Sequence, residues 1–178
     1  MKRFAKRGFT LVEIMIVVAI IALLAAIAIP NVLRGRTTAN ESAAIGNLRS
    51  LMSSLEMYRS VNQGYAPDWD VALYGTNCTT AAPDPDFGPP AFCINLDGGA
   101  AVQGYTYTYV ELPTSCNNAV GSMCNQFTMS ATPVTVGNTG TRAFFLNESG
   151  TIRHCTSGTA TTADADDNTI DAGAADCD

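Results

Sequence analysis

Apolar residues are distributed very unevenly along this chain. From Phe9 to Ile29 almost every side chain is apolar, and Glu13 is the only charged residue in that run. At about 1.5 Å of rise per residue, a helix of this length spans about 31 Å, which is enough to cross the hydrocarbon core of a bilayer. The pattern therefore predicts a membrane-spanning helix over residues 9–30.

After Pro30 the apolar positions form a stripe instead of a continuous run. The stripe recurs at steps of three and four residues, which is typical of a helix with one buried face. Its members are Ala44, Ile45, Leu48, Leu51, Met52, Leu55 and Tyr58. The opposite, polar face is expected to hold Glu41, Asn47, Arg49, Ser53, Ser54 and Glu56. Residues 31–62 are therefore predicted to be an amphipathic helix that supports a globular head.

The two helical patterns follow one another without a strong stop signal. Pro30 lacks a backbone donor and clashes with the preceding turn, so we expect the helix to bend there rather than end. One long helix over residues 10–61 results. Gly64 is predicted to end it as a left-handed cap.

The remainder, residues 63–178, has the pattern of a small antiparallel sheet with loops. Strand formers or apolar residues alternate with other residues over 105–110 and 126–131. Two further strands are predicted over 142–146 and 151–154, because they flank residues 147–150, which have the composition of a hairpin turn. Residues 75–92 are rich in proline and glycine and are predicted to be a loop. The fold class is therefore α+β, with three or four strands packed on the second half of the long helix.

Charge sets the orientation of the membrane segment. Four basic residues precede it, Lys2, Arg3, Lys6 and Arg7, and they are expected to hold the N-terminus in the cytoplasm. The rest of the chain then lies outside the cytoplasm. The net charge of the whole chain is −6, and that of the chain after these four residues is −10. Such an acidic chain argues against specific binding to nucleic acid.

Six cysteines follow the membrane segment, where the compartment is oxidising. They are Cys78, Cys93, Cys116, Cys124, Cys155 and Cys177. A zinc site is disfavoured because no C-x-x-C spacing occurs and His154 is the only histidine. We predict three disulfides between sequence neighbours, Cys78–Cys93, Cys116–Cys124 and Cys155–Cys177, since each would close a loop rich in glycine, proline or asparagine.

The string Gly8-Phe9-Thr10-Leu11-Val12-Glu13 closely resembles the processing signal of type IV pilins and of type II secretion pseudopilins, with a class III type of leader. The resemblance is strong over about residues 7–36. It implies that residues 1–8 are a leader, that a prepilin peptidase cleaves between Gly8 and Phe9, and that the same enzyme methylates Phe9. Pro30 matches a proline common in that family.

The resemblance also gives Glu13 a role in assembly. A carboxylate at the centre of a bilayer costs roughly 2.5–3.5 kcal/mol on insertion scales, so a chain that keeps one there is expected to neutralise it. In a filament of identical subunits, Glu13 can pair with the N-terminal amine of a neighbouring Phe9. The segment 9–30 would then be both a membrane anchor, surrounded by lipid, and the core of the filament.

Two functions are compatible with this signal. One is a structural subunit of a type IV pilus, and the other is a major pseudopilin of a type II secretion system. Both are made at the bacterial inner membrane with an assembly platform; the first ends as a surface filament and the second as a periplasmic one. An enzyme is not expected, since the chain shows no nucleophile–base pair and no glycine-rich phosphate loop.

A run of aspartates lies near the C-terminus. Asp164, Asp166, Asp167 and Asp171 offer several hard oxygen ligands within one loop, as calcium requires. Major pseudopilins hold calcium in a C-terminal loop, so the resemblance supports a calcium site here. The spacing does not match an EF-hand, and a solvated acidic loop closed by Cys155 and Cys177 is the other interpretation. No other cofactor is expected.

Overall fold

The computed structural model describes residues 9–74, 87–93, 100–113, 116–119 and 122–156. Two compact units meet in the sequence between Arg36 and Thr37. The first consists of the early part of helix α1, and the second is an α+β head. The described elements are α1 (Leu11–Asn62), α2 (Trp69–Tyr74), a 3₁₀ turn (Pro90–Phe92), β1 (Tyr105–Leu112), β2 (Gln126–Pro133), β3 (Ala143–Asn147) and β4 (Ile152–Cys155).

The long helix predicted from the sequence is confirmed. Helix α1 extends over 52 residues and continues through Pro30. Just after the apolar run, the Asn31 side chain donates a hydrogen bond to the carbonyl oxygen of Ile27, at 3.2 Å. Pro30 has no backbone N–H to donate, and the side-chain amide of Asn31 supplies an additional donor in the same turn.

The helix ends differently from the prediction. Gln63, not Gly64, has the left-handed conformation, with φ of 63°, and its N–H donates to the carbonyl oxygen of Arg59 at 2.9 Å. Gly64 is needed for a different reason. A Cβ atom there would lie 2.3 Å from Oδ1 of Asn118. The glycine is therefore required because the loop after β1 approaches closely, and not because the backbone needs a special φ angle.

The sheet is four-stranded and antiparallel, in the order β1-β2-β3-β4. Tyr107 lies opposite Ala131, and Met129 lies opposite Leu146. The predicted turn between β3 and β4 is also confirmed, because the N–H of Gly150 donates to Asn147 at 3.0 Å and Gly150 has φ of 73°. Each strand therefore pairs with its neighbours in sequence.

The head's core lies between the second half of α1 and one face of the sheet. The predicted stripe supplies the buried residues Ala44, Leu48, Leu51 and Leu55, and the partly buried Ile45, Met52 and Tyr58. Large aromatic residues from the sheet and the connections complete this core. The amphipathic pattern therefore predicted which face of the helix is buried.

Three alternating tyrosines of β1 project into this core and are held by their hydroxyl groups. Tyr105 donates to the carbonyl oxygen of Arg142 at 2.9 Å, and Tyr109 donates to that of Ala66 at 2.7 Å. Tyr107 accepts a bond from the side chain of Asn47 at 2.9 Å. Burial raises the pKa of all three phenols, because a phenolate would lose its hydration. The tyrosines thus fasten the sheet to α1 and to the loop that follows it.

Two positions assigned to the polar face of α1 are buried, and that part of the prediction is wrong. Glu41 is 6% exposed and Ser54 is 4% exposed. Ser54 satisfies its hydroxyl within the helix by donating to the carbonyl oxygen of Ser50, at 3.1 Å. Glu41 instead accepts bonds from the connection between β2 and β3, 100 residues further along the chain.

The Glu41 contact uses both carboxylate oxygens. Oε1 accepts bonds from the backbone N–H and the hydroxyl of Thr141, at 2.9 and 2.7 Å. Oε2 accepts two bonds from the guanidinium group of Arg142, at 3.0 and 2.6 Å. Desolvation alone would raise the pKa of Glu41, but these hydrogen bonds and the charge of Arg142 lower it below its ordinary value of 4.5.

Two short helical elements were not predicted. Helix α2 and the 3₁₀ turn meet at Trp69, whose indole N–H donates to the carbonyl oxygen of Phe92 at 3.3 Å. The Trp69 ring also packs against Tyr109, with centroids 5.5 Å apart. The 3₁₀ turn falls within residues 75–92, which were predicted to be a loop. Such short elements are stabilised by tertiary packing and leave little periodic signal in a sequence.

One of the predicted disulfide pairs lies within the described residues. Cys116 and Cys124 are bonded to each other, and the bond closes the turn after β1. Cys93 and Cys155 are also disulfide-bonded. Their predicted partners, Cys78 and Cys177, lie outside the described residues, so those two pairings stay predictions.

Candidate functional site

The first turn of α1 is closed by a reciprocal pair of side chains. The backbone N–H and the hydroxyl of Thr10 donate to Oε2 of Glu13, at 3.0 and 2.8 Å. In return, the backbone N–H of Glu13 donates to the Thr10 hydroxyl oxygen at 3.3 Å. This is a capping box, which satisfies backbone donors that have no partner inside the helix.

The capping box also favours the negative charge of Glu13. The free N–H groups at the start of a helix create a positive potential, which attracts a carboxylate in the first turn. Sequence reasoning identified Glu13 from its isolation among apolar residues but missed the role of Thr10. The signal was present, because a threonine followed three residues later by a glutamate is the sequence pattern of a capping box.

The residues around this turn present a continuous apolar surface. Phe9 lies two residues before the first residue of α1 and is 79% exposed. Large apolar side chains of the following run are exposed as well, from Leu11 to Leu33. This helix is long and apolar enough to cross a membrane. Apolar patches much larger than a few hundred Å² indicate contact with lipid or with another protein.

The other predicted site residues fall in different places. Pro30 lies inside α1, within the same compact unit as Phe9 and Glu13. Gly8 lies outside the described residues. The four aspartates proposed as calcium ligands, Asp164, Asp166, Asp167 and Asp171, also lie outside them. Within the described part of the chain, no group of three or more histidine, cysteine or acidic side chains is placed to hold a metal ion.

The amino-terminal segment matches a known family model. Residues 3–29 match the prokaryotic N-terminal methylation motif. The match includes Gly8, Phe9 and Glu13, together with most of the apolar run. It therefore covers the capping box and most of the exposed part of α1 described above.

Similar proteins come from two kinds of bacterial assembly. The type II secretion system core protein G of Aeromonas hydrophila is 34% identical over 86 residues, which are 48% of this chain and 59% of that protein. The type IV wide pilus major component PilA4 of Thermus thermophilus is 46% identical over 33% of this chain and 45% of its own length. The type IV major pilin protein PilA of Myxococcus xanthus is 47% identical over 34% of this chain and 27% of its own length.

The similarity is partial in extent. The chain spans about half the length of the curated relatives that it matches. No solved structure gives a significant match. The family-model match lies in the amino-terminal part of the chain, where the candidate site lies.

Proposed function

Because the chain belongs, by its amino-terminal segment, to the family of type IV pilins and type II secretion pseudopilins, we propose that it is the structural subunit of a type IV pilus. The observation that carries this proposal is the exposed apolar run of α1, which begins at a capped carboxylate within the methylation motif. Such a surface suits two successive environments, a bilayer before assembly and a bundle of identical helices afterwards.

The first step of this function is processing. A prepilin peptidase hydrolyses the peptide bond between Gly8 and Phe9 on the cytoplasmic side of the inner membrane, and then methylates the new amine of Phe9. Cleavage removes the four basic residues of the leader, so the ammonium of Phe9 is the one charge left ahead of the apolar helix. The first retained residues are then Phe9 and Thr10, at the start of α1.

The second step is the pairing of subunits. The carboxylate of Glu13 accepts hydrogen bonds from the methylated ammonium of a neighbouring Phe9, and both charges are compensated inside the apolar core of the filament. Removing one partner of a buried pair costs about 3–5 kcal/mol, so a subunit in the wrong register is disfavoured by a similar amount. The pair therefore determines the register in which subunits assemble more than it determines how strongly they associate.

Burial of the apolar run supplies the attraction between subunits. In the membrane, lipid tails cover these side chains, and the assembly platform then transfers the subunit into the growing filament. Packing between helices replaces contact with lipid, and the continuous helix allows this along its full apolar length. Pro30 is proposed to adjust the path of the helix within that bundle.

A major pseudopilin of a type II secretion system is the second candidate. One observation favours it: the similarity to core protein G of Aeromonas hydrophila extends over 86 residues, whereas the two pilin matches extend over about 60. The predicted calcium site at Asp164, Asp166, Asp167 and Asp171 belongs with this candidate. Calorimetric titration of the mature protein with calcium tests that site, and absence of binding counts against the pseudopilin.

Deletion of the encoding gene separates the two candidates. We expect cells that lack the protein to lose a surface filament visible by electron microscopy, and complementation with the intact chain to restore it. If surface filaments persist while proteins normally exported across the outer membrane accumulate in the periplasm, the pilus is refuted in favour of the secretion system.

Replacing Gly8 with leucine tests the processing site. We expect uncleaved precursor in the membrane and no filaments, because a bulky side chain at the cleavage position excludes the scissile bond from the peptidase. Mass spectrometry of the membrane-bound chain measures both the leader and the methyl group. Leu11→Val, which keeps an apolar residue at the third position after the cleavage site, is the matched control. A normally cleaved G8L chain would contradict the assignment.

A further inference from the structure

Two small apolar surfaces remain exposed on the head. In its described part, the large apolar side chains that are exposed are Met57, Val61, Val134 and Val136. Met57 and Val61 lie one turn apart on α1 and share a face of it; we call them the helix surface. Val134 and Val136 lie in the connection between β2 and β3; we call them the connection surface. Exposed apolar residues scattered singly are normal, whereas these occur in pairs.

The two surfaces lie at different ends of the head. The connection is fastened to α1 near the start of the head, where the Asn40 side chain donates a hydrogen bond to the carbonyl oxygen of Thr139 at 2.8 Å and Glu41 binds Thr141. At about 1.5 Å per residue, Met57 lies about 24 Å further along the helix axis than Glu41. One subunit therefore cannot bring its own two surfaces into contact.

Both surfaces are held in fixed positions before any partner arrives. The helix surface is part of the continuous helix α1. The connection is closed by its own backbone, since the N–H of Gly137 donates to the carbonyl oxygen of Gly140 at 2.8 Å and that of Thr139 donates to Thr135 at 2.9 Å. Little conformational freedom is lost when such preorganised surfaces form a contact.

The charges near the two surfaces have opposite signs. Beside the connection surface, the Arg142 side chain is 41% exposed while its partner Glu41 is 8% exposed, so the positive group faces solvent. At the other end, the Tyr109 hydroxyl is bonded to the loop directly after α1. Burial is the main cause of the raised pKa of Tyr109, and the nearby carboxylates of Glu111 and Asp68 add to it. This complementarity favours contact between the connection end of one head and the helix end of another.

We propose that the connection surface of one subunit packs on the helix surface of a second copy. The inference rests on the proposed function and deepens it, because two different surfaces on one chain can generate an open helical assembly. Two side chains on each side bury far less than the roughly 1,200 Å² of a stable interface. The contact therefore forms only between copies that α1 already holds together, where their effective concentration is high.

A charge swap tests the contact in the full chain, in the bacterium that makes it. Val136→Asp and Met57→Lys each add a charge to one surface, and V136D/M57K places opposite charges on the two facing surfaces. The matched control V136D/S50K adds the same ammonium at an exposed position two turns earlier on α1. Mass spectrometry measures the yield of sheared filaments relative to cleaved, methylated subunits in the membrane, which removes any effect on processing.

We expect V136D and M57K each to lower this relative yield roughly tenfold, because each contact then removes an unpaired charge from water. V136D/M57K should restore the wild-type yield, and V136D/S50K should stay as low as V136D. Rescue cannot reflect repair within one subunit, since the two positions are far apart in it. Wild-type yield from V136D or from M57K would overturn the inference, and so would a double variant no better than V136D. A wild type that forms no filament, on the surface or in the periplasm, would instead refute the proposed function.

Discussion

Replacing Glu13 with valine is expected to leave the subunit in the membrane and to reduce filament assembly by a factor of at least about 100. The variant cannot compensate the positive charge on the amine of a neighbouring Phe9, and an unpaired buried charge costs about 3–5 kcal/mol. Each 1.4 kcal/mol corresponds to a factor of about ten in the assembly equilibrium. Valine favours insertion into lipid, so the membrane step should be intact. The yield of sheared filaments, relative to the membrane-bound subunit, measures the effect.

Ile16→Val provides the matched control for this experiment. It lies one turn further along the same exposed helix and changes packing by one methylene group without changing charge. We expect its filament yield to stay close to that of the wild type. If E13V polymerised as well as I16V, the carboxylate would have no part in assembly and the pairing with Phe9 would be wrong.

Replacing Glu41 with alanine is expected to lower the free energy of unfolding of the head by about 3 kcal/mol. The change removes the acceptor of four hydrogen bonds and leaves Arg142 and Thr141 without it. The value lies at the lower end of the range for buried pairs because Arg142 reaches solvent and can be hydrated. Denaturant titration of the full mature chain in detergent, followed by near-ultraviolet circular dichroism, measures it.

Glu56→Ala is the matched control on the same helix. Glu56 is about half exposed and lies 3.9 Å from Arg59, a geometry worth at most about 1 kcal/mol. It accepts one further hydrogen bond, from the Tyr65 hydroxyl at 2.7 Å, against the four that Glu41 accepts. An equal loss of stability in E41A and E56A would contradict the special role of the Glu41 contact.

The Glu41 contact also gives the head a dependence on pH. Because its pKa is lower in the folded state, its contribution is complete above about pH 4.5 and is lost as the pH falls through the folded value. Glu41→Gln, which has no charge to lose, should show a flatter decline in acid. The stabilities of wild type and E41Q should therefore converge as the pH falls.

Local signals were sufficient for much of this protein. The apolar run predicted the exposed first half of α1, and the stripe at three- and four-residue steps predicted the buried face of its second half. Alternation predicted β1 and β2, whereas β3 and β4 were predicted from the segments on either side of the turn at residues 147–150. The sequence pattern of the capping box at Thr10 and Glu13 was also present, although its meaning was missed. It is a local signal because both partners lie within one helical turn.

The tertiary structure decided the features that join distant parts of the chain. Glu41 is a charged residue of the kind expected at the surface. It is buried because Thr141 and Arg142, about 100 residues further along the chain, donate hydrogen bonds to its carboxylate. Gln63 has the left-handed conformation, whereas the neighbouring Gly64 lies against Asn118. Periodicity reports which side of an element is apolar, whereas a buried charge or a close backbone approach depends on a partner that only folding brings near. The sequence by itself thus determined how the subunit is anchored and capped, and folding determined how its head is held together.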